Sequence, residues 1–145
     1  MQRCAALKRL SSDHHSGLVI ARRARIAATA PEAAWAELRQ RFADELEPHF
    51  QLEERGLLPA LQAAGEQALV ERTLAEHRAL RDLIDGGGPA DLDAFAQLLT
   101  EHIRFEENTL FAMAQRVLGS DALAAIQELH EREAGPSCLT GERGR

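Results

Sequence analysis

The chain has 145 residues, enough for one domain with a buried core. Its formal net charge of −6 argues against nucleic acid as a partner, because a phosphate backbone attracts basic surfaces. Hydrophobic residues make up 45% and charged residues 28%, as in soluble globular proteins, and no stretch approaches the ~18 apolar residues of a membrane span.

Helix-forming residues and four breaks organise the chain. Ala, Leu, Glu and Arg are abundant and aromatic residues are only 4%, which favours an all-α protein. The helical pattern breaks at Thr29-Ala30-Pro31, near Gly65-Glu66, at Gly86-Gly87-Gly88-Pro89 and at Gly119-Ser120-Asp121. Each intervening segment, of roughly 20 to 35 residues, predicts one helix, and the short connections force neighbouring helices to run antiparallel.

The sequence therefore predicts an all-α fold, an up-down-up-down four-helix bundle. We expect a single domain over residues 1–145, with the bundle core at about residues 5–118. The residues after Gly119 predict a short fifth helix that ends near Glu133, followed by a polar tail that we expect to be frayed.

Apolar residues recur at three- and four-residue steps in each segment, which predicts one buried face per helix. The stripe positions are Leu7, Leu10, Leu18 and Ile26 in the first segment; Phe42, Leu46, His49, Glu53, Leu57 and Leu61 in the second; Val70, Leu74, His77, Leu80 and Ile84 in the third; and Leu92, Phe95, Leu99, His102, Glu106, Leu110 and Met113 in the fourth. Pro48 lies inside the second segment and predicts a local bend, although no local feature explains it.

Histidines and glutamates stand in these stripes where apolar residues are expected. His49-x-x-x-Glu53 and His102-x-x-x-Glu106 each place two side chains one turn apart on the same helix face. His77 stands alone in the third stripe. An ionised carboxylate is costly to bury without a partner, and a bound metal ion removes that cost.

The residue types indicate which metals would fit. Imidazole and carboxylate ligands suit iron, zinc or manganese. Four histidines and two glutamates exceed the needs of one tetrahedral zinc ion, so the set predicts two metal ions bridged by the carboxylates.

The first helix supplies the fourth histidine, and His14 and His15 are the candidates. The two side chains lie about 100° apart on a helix, so both cannot face the core. The two side chains have about the same angular offset from the apolar stripe that includes Leu18, so periodicity does not decide between them. We favour His15 because the spacing His15-x-x-Leu18 matches His77-x-x-Leu80.

Other polar residues near the proposed ligands have a simpler interpretation. His130 lies beyond the bundle core and is interpreted as a surface histidine. Glu54 and Glu107 follow the proposed glutamate ligands, and we expect them to be solvated or to support the ligands. Asp13, Glu76 and Glu101 directly precede proposed histidine ligands, but adjacent residues on a helix point in different directions, so no role is assigned to them.

Four stretches of the sequence resemble the hemerythrin family, in particular its bacterial HHE-type cation-binding branch, from about Leu7 to Leu118. They are SSDHHSGLVIARR, LEPHFQLEERGLLPAL, LAEHRALRDLI and LLTEHIRFEENTLFAM, and His-x-x-x-Glu-Glu followed by Leu and Pro is the most specific feature. The resemblance implies an up-down bundle around an oxo- or hydroxo-bridged di-iron centre. It implies as ligands His15 (or His14), His49, Glu53, His77, His102 and Glu106, with the two glutamates as bridges.

The sequence departs from the oxygen-carrying members of that family. Those carry a second histidine one turn from the first on the third helix, whereas Thr73 and Arg81 occupy the positions four residues from His77. The fourth helix carries His-x-x-x-Glu instead of His-x-x-x-x-Asp. The resemblance therefore implies oxygen or nitric oxide sensing, iron handling or stress response rather than simple oxygen carriage.

These observations lead to one main expectation and two alternatives. We expect a protein with two non-haem iron ions and oxygen or nitric oxide as its small ligand, without turnover of an organic substrate; zinc or manganese could occupy the same ligands. The N-terminal stretch has no apolar run of signal length, and Cys4 and Cys138 near the ends are interpreted as free thiols rather than a disulfide framework, so we expect a cytoplasmic protein. The alternatives are a di-iron enzyme acting on peroxide or nitric oxide, although the sequence suggests no substrate pocket, and a protein-interaction module controlled by the metal state.

Overall fold

The computed structural model describes residues 3–25 and 29–140, with side chains as far as residue 133. Within these residues the protein consists of five helices and contains no strand, which confirms the all-α expectation. The helices are α1, Ala5–Arg25; α2, residues 31–63; α3, Gln67–Gly86; α4, residues 92–117; and α5, Ser120–Thr140, with a short 3₁₀ turn at Pro89–Asp91. Helix α5 extends past the predicted end at Glu133, and the remainder of the predicted tail, residues 141–145, lies outside the described residues.

Helices α2 and α4 are continuous but contain wider π-helical turns. Helix α2 consists of Pro31–Arg41, the π turn Phe42–Leu46, Glu47–Leu52, the π turn Glu53–Leu57, and Leu58–Ala63; α4 consists of Leu92–Phe105, the π turn Glu106–Leu110, and Phe111–Val117. The N–H after each π turn donates to the carbonyl five residues back, as from Leu58 to Glu53 and from Phe111 to Glu106. Each HxxxE motif therefore ends at the first residue of a π turn.

The first π turn explains the proline inside α2. Pro48 is near the start of the α-helical segment Glu47–Leu52, directly after the π turn Phe42–Leu46. Because a new series of α-helical hydrogen bonds begins there, the missing proline N–H costs little. Pro59 has the same place after the second π turn. The bend predicted at Pro48 is thus a π turn immediately before the proline.

Glycine ends α2 at the break predicted near Gly65. Gly65 has φ +90°, a conformation that glycine adopts without strain. The Glu66 N–H donates to the Leu61 carbonyl and the Gly65 N–H to the Gln62 carbonyl, which is the Schellman pattern of a helix C-terminus. The chain thereby reverses into α3 within a few residues.

The four long helices form a closed ring of antiparallel neighbours. Helix α1 packs against α2 and α4, α3 packs against the same two helices, and α5 packs against α1 and α2. The contact between α1 and α4 is close, because a Cβ added at Gly17 would lie 2.8 Å from Ile103 Cδ1. None of the helices in the described ranges is long and apolar enough to cross a membrane.

The apolar core has two clusters, one toward each end of the bundle. One cluster contains Ile20, Ala21, Ala24, Trp35, Leu38, Phe42, Leu46, Phe50, Leu80, Ile84, Leu92, Phe95, Ala96, Leu99 and Ile103. The other contains Ala6, Leu7, Leu10, Leu52, Leu57, Leu58, Leu61, Val70, Phe105, Leu110, Phe111, Ala114, Leu118 and Ile126. On α1 and α3 the ligand histidines His14 and His77 lie between these two sets, and on α2 and α4 each HxxxE motif spans the change from the first cluster to the second.

The buried face of α1 differs from the predicted stripe. Leu7 and Leu10 are fully buried, but Leu18 is 42% exposed, and Ile26 lies outside the described residues. Beyond Leu10 the buried face continues through His14 and the small residues Gly17, Ala21 and Ala24. The predicted α1 stripe was therefore wrong at Leu18, because the buried positions after His14 are Gly17, Ile20, Ala21 and Ala24.

Candidate metal centre

Six polar side chains form a layer across the middle of the bundle. Each is at most 5% exposed, and the set is His14 from α1, His49 and Glu53 from α2, His77 from α3, and His102 and Glu106 from α4. The helical faces that bury the apolar clusters on either side also direct these side chains to the bundle axis. The proposed residues of α2, α3 and α4 are thus brought together as expected.

The six side chains divide into two overlapping groups. One group is His14, His49, Glu53 and Glu106, and the other is Glu53, His77, His102 and Glu106. Within each group one potential ligand atom per residue lies within 4.8 Å of all the others. Both glutamates belong to both groups, so their carboxylates join two pairs of imidazoles.

The Nε2 atoms of the histidines face the two carboxylates. His14 Nε2 is 2.7 Å from Glu106 Oε1, His77 Nε2 is 2.9 Å from Glu53 Oε1, His49 Nε2 is 3.1 Å from Glu53 Oε2, and His102 Nε2 is 3.1 Å from Glu106 Oε2. The arrangement is approximately two-fold symmetric, since it relates His14 to His77, His49 to His102 and Glu53 to Glu106.

Four atoms in this layer are buried without a hydrogen-bond partner among the described residues, because the two contacts of 3.1 Å between them lack hydrogen-bond geometry. They are His49 Nε2, His102 Nε2, Glu53 Oε2 and Glu106 Oε2. A buried polar atom left unsatisfied costs about 1–3 kcal/mol, so four facing one another need a common partner. Cations between imidazole nitrogen and carboxylate oxygen would satisfy all four, and the donors therefore suit a di-metal centre.

The other nitrogen of each imidazole, Nδ1, hydrogen-bonds to a second carboxylate. The pairs are His14 with Glu107 at 2.7 Å, His49 with Asp13 at 3.0 Å, His77 with Glu54 at 2.6 Å and His102 with Glu76 at 2.7 Å. A carboxylate at Nδ1 fixes the ring and leaves Nε2 available for a metal, the usual outer arrangement of metal-binding histidines.

Two of these carboxylates correct the sequence interpretation. Asp13 and Glu76 do point away from the histidines that follow them, as argued, but each reaches a histidine on a neighbouring helix. Glu101 behaves as expected, since it is exposed and accepts a hydrogen bond from Gln97. The argument from adjacency considered one helix at a time, so it missed these hydrogen bonds between helices.

Phenylalanine rings support the histidines of α1 and α3. Phe50 stacks on His77 with ring centroids 4.0 Å apart, and Phe111 lies parallel to His14 at 5.2 Å. Both phenylalanines are buried, so each ring closes one side of the polar layer against water. Phe111, which from its sequence position is an ordinary core residue, is therefore also part of the wall of the site.

The hydrogen bonds of the layer favour protonated imidazoles in the absence of metal. Burial lowers the pKa of His77, but hydrogen bonds to Glu106, Glu53 and Glu54 outweigh it and raise that pKa to about 10. Burial likewise lowers the pKa of His102, whereas Glu106 and Glu76 raise it to about 9. Metal ions must therefore displace protons from this layer.

The same contacts explain why the carboxylate of Glu106 is ionised. Burial raises the pKa of Glu106, but the neighbouring imidazoles His102, His14 and His49 outweigh it and hold the pKa well below its usual value. Glu106 consequently stays ionised throughout the neutral range, in which an ionised carboxylate oxygen can bind a cation.

A cavity of about 210 Å³ reaches the layer from one side. Its wall includes the imidazoles His14, His49 and His102 and apolar side chains such as Leu46 and Ile103. The sequence suggested no obvious pocket, because this cavity is formed between three helices, α1, α2 and α4. Neighbouring helices close the polar layer, yet one side of it remains accessible to a small molecule.

The structure distinguishes the two candidate histidines of α1. His14 is 5% exposed and lies in the layer, whereas His15, which the sequence argument favoured, is exposed and lies outside it. The buried face of α1 contains Leu10, His14 and Gly17. The sequence argument favoured His15 because it counted the exposed Leu18 as a buried residue.

Two further residues differ from their sequence interpretation or clarify it. His130 of α5 is 3% exposed rather than a surface residue, because α5 packs against α1 and α2. Thr73, at the position where a second α3 histidine was sought, is buried and donates its hydroxyl to the Leu69 carbonyl. The sequence places the apolar residue Ile126, which is buried, one turn before His130, and this spacing could have indicated the buried face of α5.

Comparison with known proteins gives one match. The family model of the Hemerythrin HHE cation binding domain matches residues 5–114. This span includes all six residues of the layer and ends before α5. No curated protein and no solved structure matches the chain.

Proposed function

The chain belongs to the hemerythrin family as an HHE cation-binding domain, and we propose that it holds two non-haem iron ions and binds or senses oxygen or nitric oxide, or handles iron, in the cytoplasm. The observation that carries the proposal is the set of four facing, unsatisfied Nε2 and carboxylate oxygen atoms. Two cations that share Glu53 and Glu106 would satisfy all of them.

The donor set is compatible with iron, which the family membership favours, and it leaves positions open. Each group offers two imidazoles and two carboxylates, without a thiolate. An octahedral ion has more coordination positions than these four donors fill, so a small exogenous ligand could bind. A di-iron pair would supply reversible oxidation and reduction together with such an open position.

The residues of the chain would hold and orient this pair. Glu53 and Glu106 would bridge the ions and offset part of their charge. The four carboxylates at the Nδ1 atoms keep each imidazole turned toward the bundle axis. The cavity adjoins both histidines of one group, His14 and His49, but only His102 of the other, so we expect the exogenous ligand at the ion that His14 and His49 bind.

Metal analysis with an absorption spectrum tests the proposal. Protein purified without oxygen and then exposed to air should contain about two iron ions per chain and should gain charge-transfer bands in the near ultraviolet. Stoichiometric zinc without such bands would contradict the assignment of iron.

A ligand variant tests the site itself. His102→Ala should bind less than half of the wild-type iron, because it removes one of the two imidazoles of its group. His15→Ala is the control, since it removes an exposed histidine. Full iron occupancy in His102→Ala would show that the proposed ligands are wrong.

The cavity favours one alternative, an enzyme that acts on peroxide or nitric oxide. Its volume of about 210 Å³ exceeds the need of a diatomic molecule, because about 10–15 Å³ of cavity volume is enough to hold a water molecule. Steady consumption of peroxide or nitric oxide by the iron-loaded protein would support an enzyme. Stoichiometric binding without turnover would support a binding or sensing protein.

A further inference from the structure

We propose that Arg81 and Arg3 are positioning residues that set the reduction potential of the metal pair through Glu54 and Glu107. The inference rests on the proposed function, because it requires a redox-active pair in the buried layer. In the part of the chain that the structure describes, the hydrogen bonds of both arginines go to residues outside that layer. Their effect would pass through the carboxylates at Nδ1 of His77 and His14.

Each of the four carboxylates at an Nδ1 atom also has an arginine partner. The pairs are Arg81 with Glu54 at 2.8 Å, Arg3 with Glu107 at 3.5 Å, Arg72 with Glu76 at 2.9 Å and Arg9 with Asp13 at 3.8 Å. Arg72 and Arg9 lie one turn from their carboxylates on the same helix and are 57% and 36% exposed. Solvent screens such pairs, so the proposal concerns the two more buried arginines.

Arg81 is held from several sides. Its Nη1 donates to Glu54 Oε2 at 2.8 Å, and its Nε and Nη2 donate to the two oxygens of Glu47, each at 2.8 Å. The guanidinium carbon lies 5.5 Å from the ring centroid of Phe50, which in turn stacks on His77. With 27% exposure, this guanidinium is a fixed positive charge behind Glu54.

Arg3 repeats the arrangement on the other half of the site. It contacts both the carboxylate and the backbone carbonyl of Glu107, and its side chain is 16% exposed. Its guanidinium lies 5.6 Å from the centroid of Phe111, which is parallel to His14. Arg3 precedes α1 and Arg81 lies within α3, so unrelated segments deliver the same three groups, arginine, phenylalanine and carboxylate, to equivalent histidines.

The expected direction follows from charge. A carboxylate at Nδ1 attracts the imidazole proton and makes Nε2 a stronger donor, which favours the more highly charged ferric state. A guanidinium on that carboxylate offsets its charge and opposes this effect, and the opposition is large where burial reduces screening. Loss of Arg81 should therefore lower the reduction potential of the pair.

The test compares three variants with wild type. Arg81→Met removes the charge and keeps much of the side-chain volume, and Arg81→Lys keeps the charge without the planar fork. Arg41→Met is the matched control, because Arg41 is 28% exposed and pairs with Glu45, a carboxylate without a hydrogen bond to a histidine among those described. Iron content, thermal unfolding and the midpoint potential are measured on each.

Arg81→Met should keep two iron ions and favour the ferric pair roughly tenfold more than wild type, a shift of about 59 mV per one-electron step to lower potential. Arg81→Lys should stay near wild type, and Arg41→Met should not shift. If Arg81→Met fails to fold, Arg3→Met tests the same inference at Glu107 and His14, and it should lower the potential in the same way.

The outcomes separate the two proposals. An unchanged or raised potential in an Arg81→Met protein that holds two iron ions would overturn the inference alone. A wild-type protein without a redox-active iron pair would overturn the proposed function and the inference with it. Equal shifts of the midpoint potential in Arg81→Met and Arg41→Met would show that any lost surface charge has this effect, which also contradicts the inference.

Discussion

Raising the pH should destabilise the metal-free protein. The pKa of His102 is raised from 6.5 to about 9 in the fold by its carboxylate partners. Protonation therefore stabilises the folded state fully below pH 6.5, and this contribution is lost as the pH rises through about 9. The carboxylate of Glu106 adds no opposing change, because its pKa lies well below this window.

The size of the effect can be worked from the same values. A difference between 6.5 and about 9, at about 1.4 kcal/mol per pH unit, corresponds to about 3–4 kcal/mol for His102. His102 is only 2% exposed, so solvent screening does not reduce this value much. The contributions of the four histidines are not additive, because they share the same two glutamates. Even one such contribution is a large part of a domain stability of about 5–15 kcal/mol.

The assay is urea unfolding of chelator-treated protein at several pH values from 6.5 to 9. The free energy of unfolding should fall across this range, and His102→Gln should show a smaller fall. His15→Gln, which changes an exposed histidine, should behave as wild type. A metal-free stability that stays flat or rises over the range would refute the reasoning. Metal affinity should change in the opposite sense and increase with pH, because ions displace protons.

Three further predictions test the packing and the α1 ligand. Phe50→Ala should destabilise the metal-free protein by about 3–5 kcal/mol in urea unfolding, because Phe50 is 1% exposed and stacks on His77. Leu10→Ala should cost about 2–5 kcal/mol and Leu18→Ala less than about 0.5 kcal/mol; equal costs would contradict the buried face of α1. His14→Ala should lose iron in metal analysis, and retention of full iron would exclude His14 as a ligand.

The sequence was sufficient where a motif and a stripe lie on one helix. His49 and Glu53, or His102 and Glu106, are one turn apart, so local spacing alone placed each pair on a single face. Flanking leucines then indicated which face is buried. For this part of the site, helix geometry makes the three-dimensional arrangement a direct consequence of spacing.

The sequence argument failed on α1 because hydrophobicity is a poor guide where helices pack closely. Gly17, Ala21 and Ala24 face the bundle, and Gly17 allows α1 to approach Ile103. The larger Leu18 is exposed. The predicted stripe included Leu18 and omitted Ile20 and the small residues, so it had the wrong phase; a stripe through Leu10, Gly17 and Ile20 would have selected His14.

The outer carboxylates depended on contacts between helices, which spacing does not give. Asp13 reaches His49 and Glu76 reaches His102, across separations of 36 and 26 residues. The burial of His130 has the same origin, since it depends on how α5 packs on α1 and α2. Such contacts follow from the assembled bundle and not from any one helix.

The π turns were not predicted from the sequence, and they affect the orientation of the paired glutamates. Glu53 and Glu54 contact the two ring nitrogens of the same histidine, His77, and Glu106 and Glu107 do so for His14. In a regular α-helix adjacent side chains diverge by about 100°, and a π turn has more residues per turn and so reduces this angle. The π turns at the glutamate pairs thus help both carboxylates of a pair to contact one imidazole.

The imidazoles that contact a carboxylate at both ring nitrogens affect how the protein folds without metal. His14 and His77 each lie between two carboxylates, one at each nitrogen, an arrangement that satisfies both acceptors only when the ring is protonated. Protons and metal ions are therefore alternative occupants of the same layer. Near neutral pH the bundle should stay folded after metal removal, unlike small domains that fold only around their metal. The metal would then serve the chemistry of the site more than the stability of the fold.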